Sequence, residues 1–506
     1  MNAVQGNLIG NAANSALQLA TTGQSPLWIG GEWRSASDGK TFVDLEVATR
    51  QPWADAADGT VEDMDAAITA AVVAQPGWEA LLPSVRAGFF HKAAQLIEEN
   101  EDYYVEALIR ETGSTRSKAA WECWLTVVAF REAAGLTSRP TGETYPSTTE
   151  GKTNYIRRTA AGVVGVISPW NSPLYLSARG FIYAVALGNT AVVKPSEESP
   201  MTGGSLLGEL FDVAGFPAGV LNVVSCSRDN VGAVADKMIN DHRIARVSFT
   251  GSTAVGRKIG EACAANLKRA ILEMGGKNPV LVLADADVDY AVDVAFFSAF
   301  LHQGQICMSC DRVIVADALY DEFLEKLVAK TRTFKPMDPS REDSVIGPII
   351  NDRQLDRMHR LVQSAKDAGA NVLVGGEKEG AFFQPTVLSG VTTDMDIYRE
   401  EVFGPVIIAF RAKDEQDAVR IANDTVYGLS AAIVTADATH GQALAQRIEA
   451  GMVHINDSCV HDEPHCPFGG MKNSGWVGKW GSAGAIEAFT EQRWISVQET
   501  PRVYPF

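Results

Sequence analysis

The sequence predicts an α/β protein in which helices pack on the faces of parallel sheets. From residue 161 onward, short β-rich runs alternate with helical segments, and the alternation begins again after residue 273. A mainly helical stretch over residues 60–135 precedes both halves. Because parallel strands need crossover helices, this order favours two α/β units that meet near residue 273, where a cleft is expected.

N-capping residues mark the predicted starts of helices within the helical stretch. Thr60, followed by two acidic residues, caps a helix that we expect to end near Pro76. Ser84 caps a second predicted helix, which runs to about Asn100, and the helical pattern continues over residues 103–125.

Strands are expected in both units. They cover residues 162–167, 190–193, 220–224 and 244–249 in the first unit, and residues 279–283 and 312–315 in the second, before a helix over 319–334. Residues 142–160, rich in Gly, Pro, Ser and Thr, predict a crossing segment or hairpin. The alternating residues 493–498 predict an exposed strand, a kind of element that often pairs with another subunit.

Length and composition exclude several classes of protein. The 506 residues suffice for two or three domains, and 46% hydrophobic with 21% charged residues indicates a soluble globular chain. The net charge of −18 argues against binding nucleic acid or an anionic membrane. No apolar run reaches the ~18–20 residues of a membrane span. Residues 1–24 lack the features of a secretory signal, and seven scattered cysteines favour a reducing, cytoplasmic location.

Two residues predict chemistry in the expected cleft. Cys307 follows a Gly-Gln turn at the end of an apolar stretch that predicts a buried helix. Glu273 ends a predicted strand, directly before two glycines that leave room for a movable carboxylate. A thiol and a carboxylate placed in this way suggest a nucleophile and its general base. The amides after Gly304 can point toward an oxyanion.

Other interpretations of Cys307 remain open at this point. A buried structural cysteine is the plain alternative, as a surface glutamate in a salt bridge is for Glu273. Zinc would need further soft ligands, and His302 and Cys310 have no familiar metal spacing, so we predict no metal. Cys307 and Cys310 have the spacing of a redox pair, but they do not follow the strand that such a motif requires.

Polar residues after the predicted strands indicate where a nucleotide binds. Asn171 follows the first strand and can donate its amide to an anionic oxygen, while Ser168 and Trp170 beside it can pack a flat ring. After the second strand, Lys194 and Glu197 can hydrogen-bond ribose hydroxyls. Because an acid there repels a 2′-phosphate, NAD is favoured over NADP.

A glycine-bearing helix start and two further loops complete the candidate set. Residues 249–256 run from a strand into a helix whose first amides can bind phosphate, with Gly251, Ser252 and Gly256 as candidates. Glu401 and Phe403 lie in one Gly/Pro loop, and Phe468 lies in another. Each signal is weak alone, since a capped helix or a simple turn explains it equally well.

Taken together, the motifs resemble the aldehyde dehydrogenase superfamily over about residues 26–500. The matching segments are Pro-Trp-Asn at 169–171, Lys-Pro-Ser-Glu at 194–197, Phe-Thr-Gly-Ser-Thr at 249–253, Glu-Met-Gly-Gly-Lys at 273–277, Gly-Gln-Ile-Cys at 304–307, Glu-Val-Phe-Gly-Pro at 401–405 and Pro-Phe-Gly-Gly at 467–470. Because so many motifs match in the same order, the set as a whole is specific to this superfamily.

The resemblance implies a role for each residue. Cys307 would attack an aldehyde, with Asn171 and the Cys307 amide holding the oxyanion, and Glu273 would activate water to release the acid. The cofactor NAD would be bound by the residues after the strands: Ser168, Trp170, Lys194, Glu197, Gly251, Ser252, Gly256, Glu401 and Phe403.

The resemblance also implies a domain arrangement and an assembly. Residues 25–146 and 160–272 would form a Rossmann-type NAD-binding domain, and residues 273–486 an α/β catalytic domain. Residues 147–159 and 487–506 would be β segments that join a homodimer or homotetramer, and residues 1–24 a flexible extension.

Within the superfamily, the chain is similar to dehydrogenases of benzaldehyde, salicylaldehyde and vanillin. Tyr175, Ile306, Met308 and Phe468 are the expected apolar walls for a flat substrate ring. Arg179 is expected either to reach a phenolic or carboxylate group of the substrate or to pair with a nearby acid. The alternatives are an aliphatic or semialdehyde substrate, or a non-catalytic structural protein of the same fold.

Overall fold

The computed structural model describes residues 17–139 and 142–506 as a layered α/β arrangement. The strands are β1 (Gln24–Ser25), β2 (Leu27–Ile29), β3 (Glu32–Arg34), β4 (Thr41–Glu46), β5 (Gln51–Ala57), β6 (Gly142–Tyr145), β7 (Lys152–Ala160), β8 (Val163–Ile167), β9 (Thr190–Lys194), β10 (Leu221–Val223), β11 (Ile244–Thr250), β12 (Arg269–Glu273), β13 (Asn278–Val282), β14 (Cys310–Ala316), β15 (Asn371–Val374), β16 (Lys378–Glu379), β17 (Phe382–Phe383), β18 (Thr386–Ser389), β19 (Val406–Ala412), β20 (Ser430–Val434), β21 (Met452–Ile455), β22 (Gly475–Trp476) and β23 (Thr490–Gln498). The helices are α1 (Val61–Glu79), α2 (Pro83–Glu99), α3 (Glu101–Thr112), α4 (Arg116–Leu136), α5 (Pro173–Ala186), α6 (Leu206–Ala214), α7 (Val231–Asn240), α8 (Thr253–Ala265), α9 (Val288–Phe300), α10 (Tyr320–Thr333), α11 (Asp352–Asp367), α12 (Asp396–Arg399), α13 (Glu415–Asn423), α14 (Ala438–Ala445) and α15 (Ser482–Phe489).

The first large sheet has the strand order β22-β12-β11-β8-β9-β10-β2-β3. Strands β12, β11, β8, β9 and β10 run parallel, so their carboxyl ends share one edge. In register, Ile167 pairs with Lys194, and Thr250 pairs with Glu273. The four strands predicted for the first unit are therefore confirmed, and their ends bring the candidate residues to one edge.

The second large sheet has the order β15-β18-β19-β14-β13-β20-β21. Strand β13 pairs in parallel with β14 and with β20, and the register places Asn278 opposite Cys310. The predicted α/β class is confirmed by these two mainly parallel sheets with helices between their parallel strands.

A smaller sheet joins distant parts of the chain. Strand β23 pairs antiparallel with β7 over its full length, and β6 lies on the other side of β7. The predicted hairpin and the predicted C-terminal strand thus lie in one sheet, on which Trp494 is 70% exposed. The domain boundaries stay a prediction, and β22, from the predicted catalytic domain, pairs with β12 of the first sheet.

Three helix boundaries differ from the prediction. Helix α1 continues through Pro76 to Glu79, although proline is unfavourable beyond the first turn of a helix. Ser84 lies inside α2, whose first residue is Pro83. The stretch over residues 103–125 is split at Gly113, whose positive φ of 67° ends α3 before α4 begins.

The chain start is packed where it is described. Residues 1–16 of the predicted flexible extension lie outside the described residues. From residue 17 the chain is held, since the Gln18 and Leu19 amides donate to Glu209 Oε1 at 2.8 and 2.9 Å and the Ala20 amide donates to the Tyr103 hydroxyl at 2.9 Å. Hydrogen bonds thus anchor residues 18–20 to α3 and α6, and the flexibility of the extension stays a prediction.

Candidate active site

The predicted catalytic residues line one cleft of about 500 Å³ between the two large sheets. Its wall contains Cys307, Glu273 and Asn171, together with five of the predicted cofactor residues: Trp170, Gly251, Ser252, Glu401 and Phe403. Three carboxyl ends of β8, β11 and β12 supply most of this wall, as expected for parallel strands. The remaining predicted cofactor residues lie outside the lining: Ser168, Lys194, Glu197 and Gly256.

The segment before Cys307 is a strained turn rather than a helix end. Helix α9 stops at Phe300, and His302, Gln303 and Gly304 then take positive φ values of 50°, 55° and 67°. Left-handed backbone at a non-glycine residue costs about 1–3 kcal/mol and persists only where contacts impose it. Gln303 Nε2 supplies such contacts, since it donates to the Gly113 and Pro348 carbonyls at 3.0 Å each.

One side chain that the sequence interpretation missed, and one glycine beside it, fix the backbone of Cys307. Asn278 Nδ2 donates to the Cys307 carbonyl at 2.8 Å and to the Ser309 carbonyl at 2.9 Å. A Cβ on Gly276 would lie 2.6 Å from the same Cys307 carbonyl. Glycine and asparagine therefore hold the backbone so that the sulfur points into the cleft, and their place directly after the Glu273 motif was the available signal.

Glu273 is a buried carboxylate that accepts no hydrogen bond from the described residues. Neither of its oxygens has a hydrogen-bond partner, and the residue has no exposed surface. Burial raises the pKa of Glu273 to about 7, against the opposing charge of Arg179. A carboxyl group with this pKa exchanges protons near neutral pH, which suits a general base.

Burial also decides the resting state of the thiol. It raises the pKa of Cys307 well above its usual range, and the neighbouring Glu273 adds to the effect while Arg179 opposes it. Cys307 is therefore a thiol at neutral pH, and it needs a proton acceptor before it can attack. Glu273, on the same cavity wall, is the carboxylate placed to serve.

A buried ion pair positions Asn171. Lys118 Nζ donates to the Asn171 carbonyl at 2.8 Å and contacts Glu122 Oε2 at 2.5 Å, with both charged side chains fully buried. Glu122 Oε1 in turn accepts from the Tyr175 amide at 3.2 Å. This arrangement fixes the turn after β8 and leaves the Asn171 amide facing the cleft. An acid and a lysine four residues apart in the apolar helix α4 were the missed signal.

Arg179 is paired with acids of the protein. Its Nη1 donates to Asp462 Oδ2 at 3.0 Å, and its Nη2 lies 3.7 Å from Glu273 Oε2. The Tyr175 hydroxyl donates to the same Asp462 oxygen at 2.9 Å, and the guanidinium lies over the Phe468 ring at 4.1 Å. Of the two expectations for Arg179, the structure places it with nearby acids rather than on a substrate group.

The other predicted substrate walls are also internal. Ile306 and Met308 are each 5% exposed, and Tyr175 and Phe468 are each 3% exposed. They fill the core around the Arg179 cluster because their neighbours in the folded chain are apolar segments of α5 and the 460–480 region. The structure buries these four residues beside the cleft, and their role as walls for a substrate ring stays a prediction.

A second cavity of about 740 Å³ has further apolar walls against which a substrate ring can pack. Its lining includes Lys118, which donates to the Asn171 carbonyl, and Asp462, which accepts from Arg179. The cavity therefore lies next to the cluster of residues around Cys307 and Glu273. Its apolar lining comes from α4, α9 and the loop after β21: Trp121, Trp124, Val128, Phe297, Leu301 and Val460. Sequence reasoning missed these residues because the cavity-facing sides of α4 and α9, and the position of the loop after β21, are known only after folding.

The other face of the cleft fits a dinucleotide. Trp170 and Phe403 meet edge to face with centroids 5.4 Å apart, and a Cβ on Gly275 would lie 2.3 Å from Glu401 Oε2. Ser252 caps α8 and turns the first amides of that helix toward the cleft. These features would place an aromatic ring, a ribose and a pyrophosphate in one row.

Four predicted cofactor residues have different neighbours. The Ser168 hydroxyl accepts from the Ser177 hydroxyl at 2.6 Å, and Lys194 Nζ donates to the Pro195 carbonyl at 2.8 Å. Glu197 lies 3.6 Å from Arg228 Nη1 at the same sheet edge. A Cβ on Gly256 would lie 2.5 Å from the Met274 sulfur, so this glycine serves the packing of α8.

The buried charge of Arg179 leads to a stability prediction. Replacing Arg179 by methionine leaves Asp462 buried without its cation, and we expect the free energy of unfolding to fall by about 3–5 kcal/mol. Denaturant unfolding followed by tryptophan fluorescence measures the change. The matched control is Arg411→Met, because Arg411 pairs with acids at the exposed surface. This substitution should lower the free energy of unfolding by less than about 1 kcal/mol. Equal losses in both variants would contradict the role given to the buried cluster.

Comparisons with known proteins agree with this geometry. Residues 33–495 match the profile of the Aldehyde dehydrogenase family. The vanillin dehydrogenase of Corynebacterium glutamicum is 44% identical over 474 residues, covering 93% of this chain and 97% of that protein. A benzaldehyde dehydrogenase [NAD(+)] of Pseudomonas putida is 41% identical over 490 residues, covering 96% and 99%. The crystal structure of a salicylaldehyde dehydrogenase from Pseudomonas putida G7, complexed with salicylaldehyde, has a TM-score of 0.93 at 38% identity, covering 96% of this chain and 100% of that one.

The chain therefore belongs to the aldehyde dehydrogenase family and is an aldehyde-oxidising oxidoreductase. The family resemblance inferred from the seven motifs is confirmed. Over the described part of the chain, none of the helices combines the length and the apolar character required to cross a bilayer.

Proposed function

We propose that this protein oxidises aromatic aldehydes to carboxylic acids, with NAD+ as the hydride acceptor. The observation that carries the proposal is the meeting of Cys307, Glu273 and Asn171 in one cleft, beside a cavity with aromatic walls. The vanillin and benzaldehyde dehydrogenases to which the chain is similar support the substrate class.

The first half of the reaction forms a covalent bond to sulfur. Glu273 takes the thiol proton, and the Cys307 sulfur attacks the aldehyde carbon as the carbonyl electron pair moves to oxygen. The Asn171 side chain and the Cys307 main-chain amide donate hydrogen bonds to that oxygen. When bound, NAD+ supplies the acceptor for the hydride that leaves this carbon, so that a thioester remains on Cys307.

The second half hydrolyses the thioester. Glu273 first passes the thiol proton to solvent, and as a carboxylate it then takes a proton from water while the water oxygen attacks the thioester carbon. The C–S bond then breaks, its electron pair returns to sulfur, and the carboxylic acid leaves. Because Glu273 has no hydrogen-bond partner among the described residues, its carboxylate is free to turn between the thiol and the water.

NAD rather than NADP is the proposed cofactor. Glu197 follows β9 at the sheet edge where the adenosine ribose would lie, and a carboxylate there repels a 2′-phosphate. Arg228, 3.6 Å from Glu197, offsets part of that charge. The similar benzaldehyde dehydrogenase, which carries NAD(+) in its name, supports the same choice.

A cytoplasmic homo-oligomer is also proposed. The exposed β23, together with β6 and β7, presents a sheet surface on which a second copy would pair. The free cysteines of the described chain include six buried or half-buried thiols, which supports a reducing compartment.

An aldehyde panel tests the substrate class. We expect kcat/KM for benzaldehydes to exceed that for aliphatic aldehydes of similar size by about tenfold or more, because a ring gains contacts with Trp121 and Trp124. The kcat/KM for succinate semialdehyde should not rise above that for other aliphatic aldehydes, since Arg179 is already paired with Asp462 and does not bind the substrate carboxylate. Production of NADH, followed by absorbance, measures the rates. Trp124→Ala should narrow the preference and Trp33→Ala, at the far edge of the first sheet, should not. A preference for aliphatic or semialdehyde substrates would overturn the proposal.

The pKa of Glu273 sets the pH dependence of thioester release. Since burial raises this pKa to about 7, the carboxylate is protonated below and ionised above that pH. Only the ionised form accepts a proton from water, so the release rate should rise through about pH 7 and level off above it. Single-turnover decay of the acyl-enzyme at a series of pH values measures this. A rate unchanged between about pH 6 and pH 8 would contradict a titrating base at this position.

A further inference from the structure

Three ligand-type side chains meet on the loop between β21 and β22. Glu463, His465 and Cys466 each offer one ligand atom, and these atoms all lie within 4.8 Å of one another. Glu463 Oε2 is 3.2 Å from His465 Nε2, and all three residues are exposed. The chemistry proposed at Cys307 uses none of them.

The spacing of the three atoms is close to that of a zinc site. Zn²⁺ bonds of about 2.0–2.3 Å in a tetrahedron set the ligand atoms roughly 3.3–3.8 Å apart. Exposed side chains reach that spacing by rotation, without movement of the backbone. A thiolate, an imidazole and a carboxylate favour Zn²⁺ over Mg²⁺ or Ca²⁺, which prefer oxygen ligands alone.

A second interaction supports the carboxylate. Glu463 Oε1, the oxygen turned away from His465, lies 3.1 Å from His461 Nε2. His461 Nδ1 in turn lies 3.8 Å from Asp457 Oδ2. Outer contacts of this kind orient metal ligands and strengthen binding, so Glu463 is already held in a ligand-like position.

The same loop forms part of the aromatic cavity. Five consecutive residues line that cavity: His461, Asp462, Glu463, Pro464 and His465. Asp462 is also the acid that pairs with Arg179 beside Glu273. An ion that fixes Glu463 and His465 therefore fixes the wall past which an aldehyde reaches Cys307.

We propose that Glu463, His465 and Cys466 bind Zn²⁺ with a fourth position open to water, and that the bound ion restricts entry of the aldehyde. On binding, a Zn–S bond forms, the Cys466 S–H bond breaks, and the proton passes to solvent. The proposed Zn²⁺ site does not depend on the proposed function. The proposed effect of Zn²⁺ on entry of the aldehyde does rest on the proposed function.

Calorimetric titration with Zn²⁺ tests the site in a Cys307→Ala background, which removes the catalytic thiol as a competing ligand. We expect one equivalent to bind, with the affinity reduced about tenfold or more by either Cys466→Ser or His465→Ala. The matched control is His440→Ala, since His440 is an exposed histidine paired with Glu415. Co²⁺ in place of Zn²⁺ should give thiolate-to-metal absorption that Cys466→Ser abolishes. Unchanged Zn²⁺ binding in Cys466→Ser would overturn the site.

Steady-state kinetics test the restriction of entry. In the presence of Zn²⁺, the KM for benzaldehyde should rise about tenfold in the wild type and stay constant in Cys466→Ser, which keeps Cys307. Bound Zn²⁺ without a rise in KM would overturn the restriction. If the protein oxidised no aromatic aldehyde at all, the proposed function would fail, while the calorimetry would still decide the site.

Discussion

Replacing Cys307 by alanine is expected to remove aldehyde oxidation almost completely. The alanine side chain cannot form the C–S bond, so hydride transfer from a covalent adduct is lost and kcat should fall by about 10⁴-fold or more. Trp170, Ser252 and Glu401, the proposed cofactor residues in this cleft, are unchanged, so binding of NAD+ should be unchanged. NADH absorbance gives the rate, and quenching of tryptophan fluorescence gives the affinity for NAD+.

The controls for this variant separate chemistry from folding. Cys307→Ser keeps an oxygen nucleophile of similar size and should retain a small residual rate above that of alanine. Because Asn278 and Gly276 hold the backbone of residue 307 rather than its side chain, both variants should unfold at the wild-type denaturant concentration. A wild-type rate in a folded Cys307→Ala protein would eliminate this sulfur as the nucleophile.

Replacing Glu273 by glutamine is expected to slow thioester release more than hydride transfer. Glutamine has nearly the same volume but cannot accept a proton from water, so the steady-state rate should fall by about 10²–10⁴-fold. NADH formed before the first release should still appear as a burst, although more slowly, because the thiol loses the same acceptor. Stopped-flow absorbance resolves the burst from the steady state.

Glu400 supplies the matched control for Glu273. Its side chain lines the same cleft but is exposed, and its carbonyl rather than its carboxylate contacts Lys277. Glu400→Gln should therefore change the burst and the steady state by less than about twofold. Loss of the burst in Glu273→Gln, with release of acid unaffected, would assign this carboxylate to the first half of the reaction only.

Local sequence patterns were sufficient to predict the parallel strands and the catalytic pair. A strand is followed directly by polar residues at 167–171, at 190–197 and at 269–277, and the carboxyl ends of parallel strands necessarily meet at one edge. For the same reason Cys307, Glu273, Asn171 and Glu401 were expected together, and the structure places all four on one cleft.

The supports of the site could not be predicted in this way, because they join residues far apart in the chain. Arg179 and Asp462 are separated by 283 positions, and Lys118 and Asn171 by 53. An arginine beside a tyrosine on an apolar helix has the same pattern whether it binds substrate or an internal acid. The fold decides between them, since the folded loop 456–466 brings Asp462 to Arg179.

Helix ends were missed for a different physical reason. Gly113 takes a positive φ because the chain must turn between α3 and α4, where a Cβ would lie 2.7 Å from Pro348. His302 and Gln303 adopt left-handed backbone because distant carbonyls hold Gln303. Such tertiary contacts are absent from the local pattern, which favoured a helix that ends at the Gly304-Gln305 turn.

The central claim is that an acyl group is carried on one sulfur atom during turnover. Mixing Glu273→Gln with a benzaldehyde and NAD+, quenching in acid and weighing the peptides by mass spectrometry tests it most directly. We expect an adduct of the benzoyl mass on the peptide containing Cys307, formed in step with the NADH burst and absent from Cys307→Ala. Formation of NADH with no adduct, or with the adduct on another residue, would contradict the account.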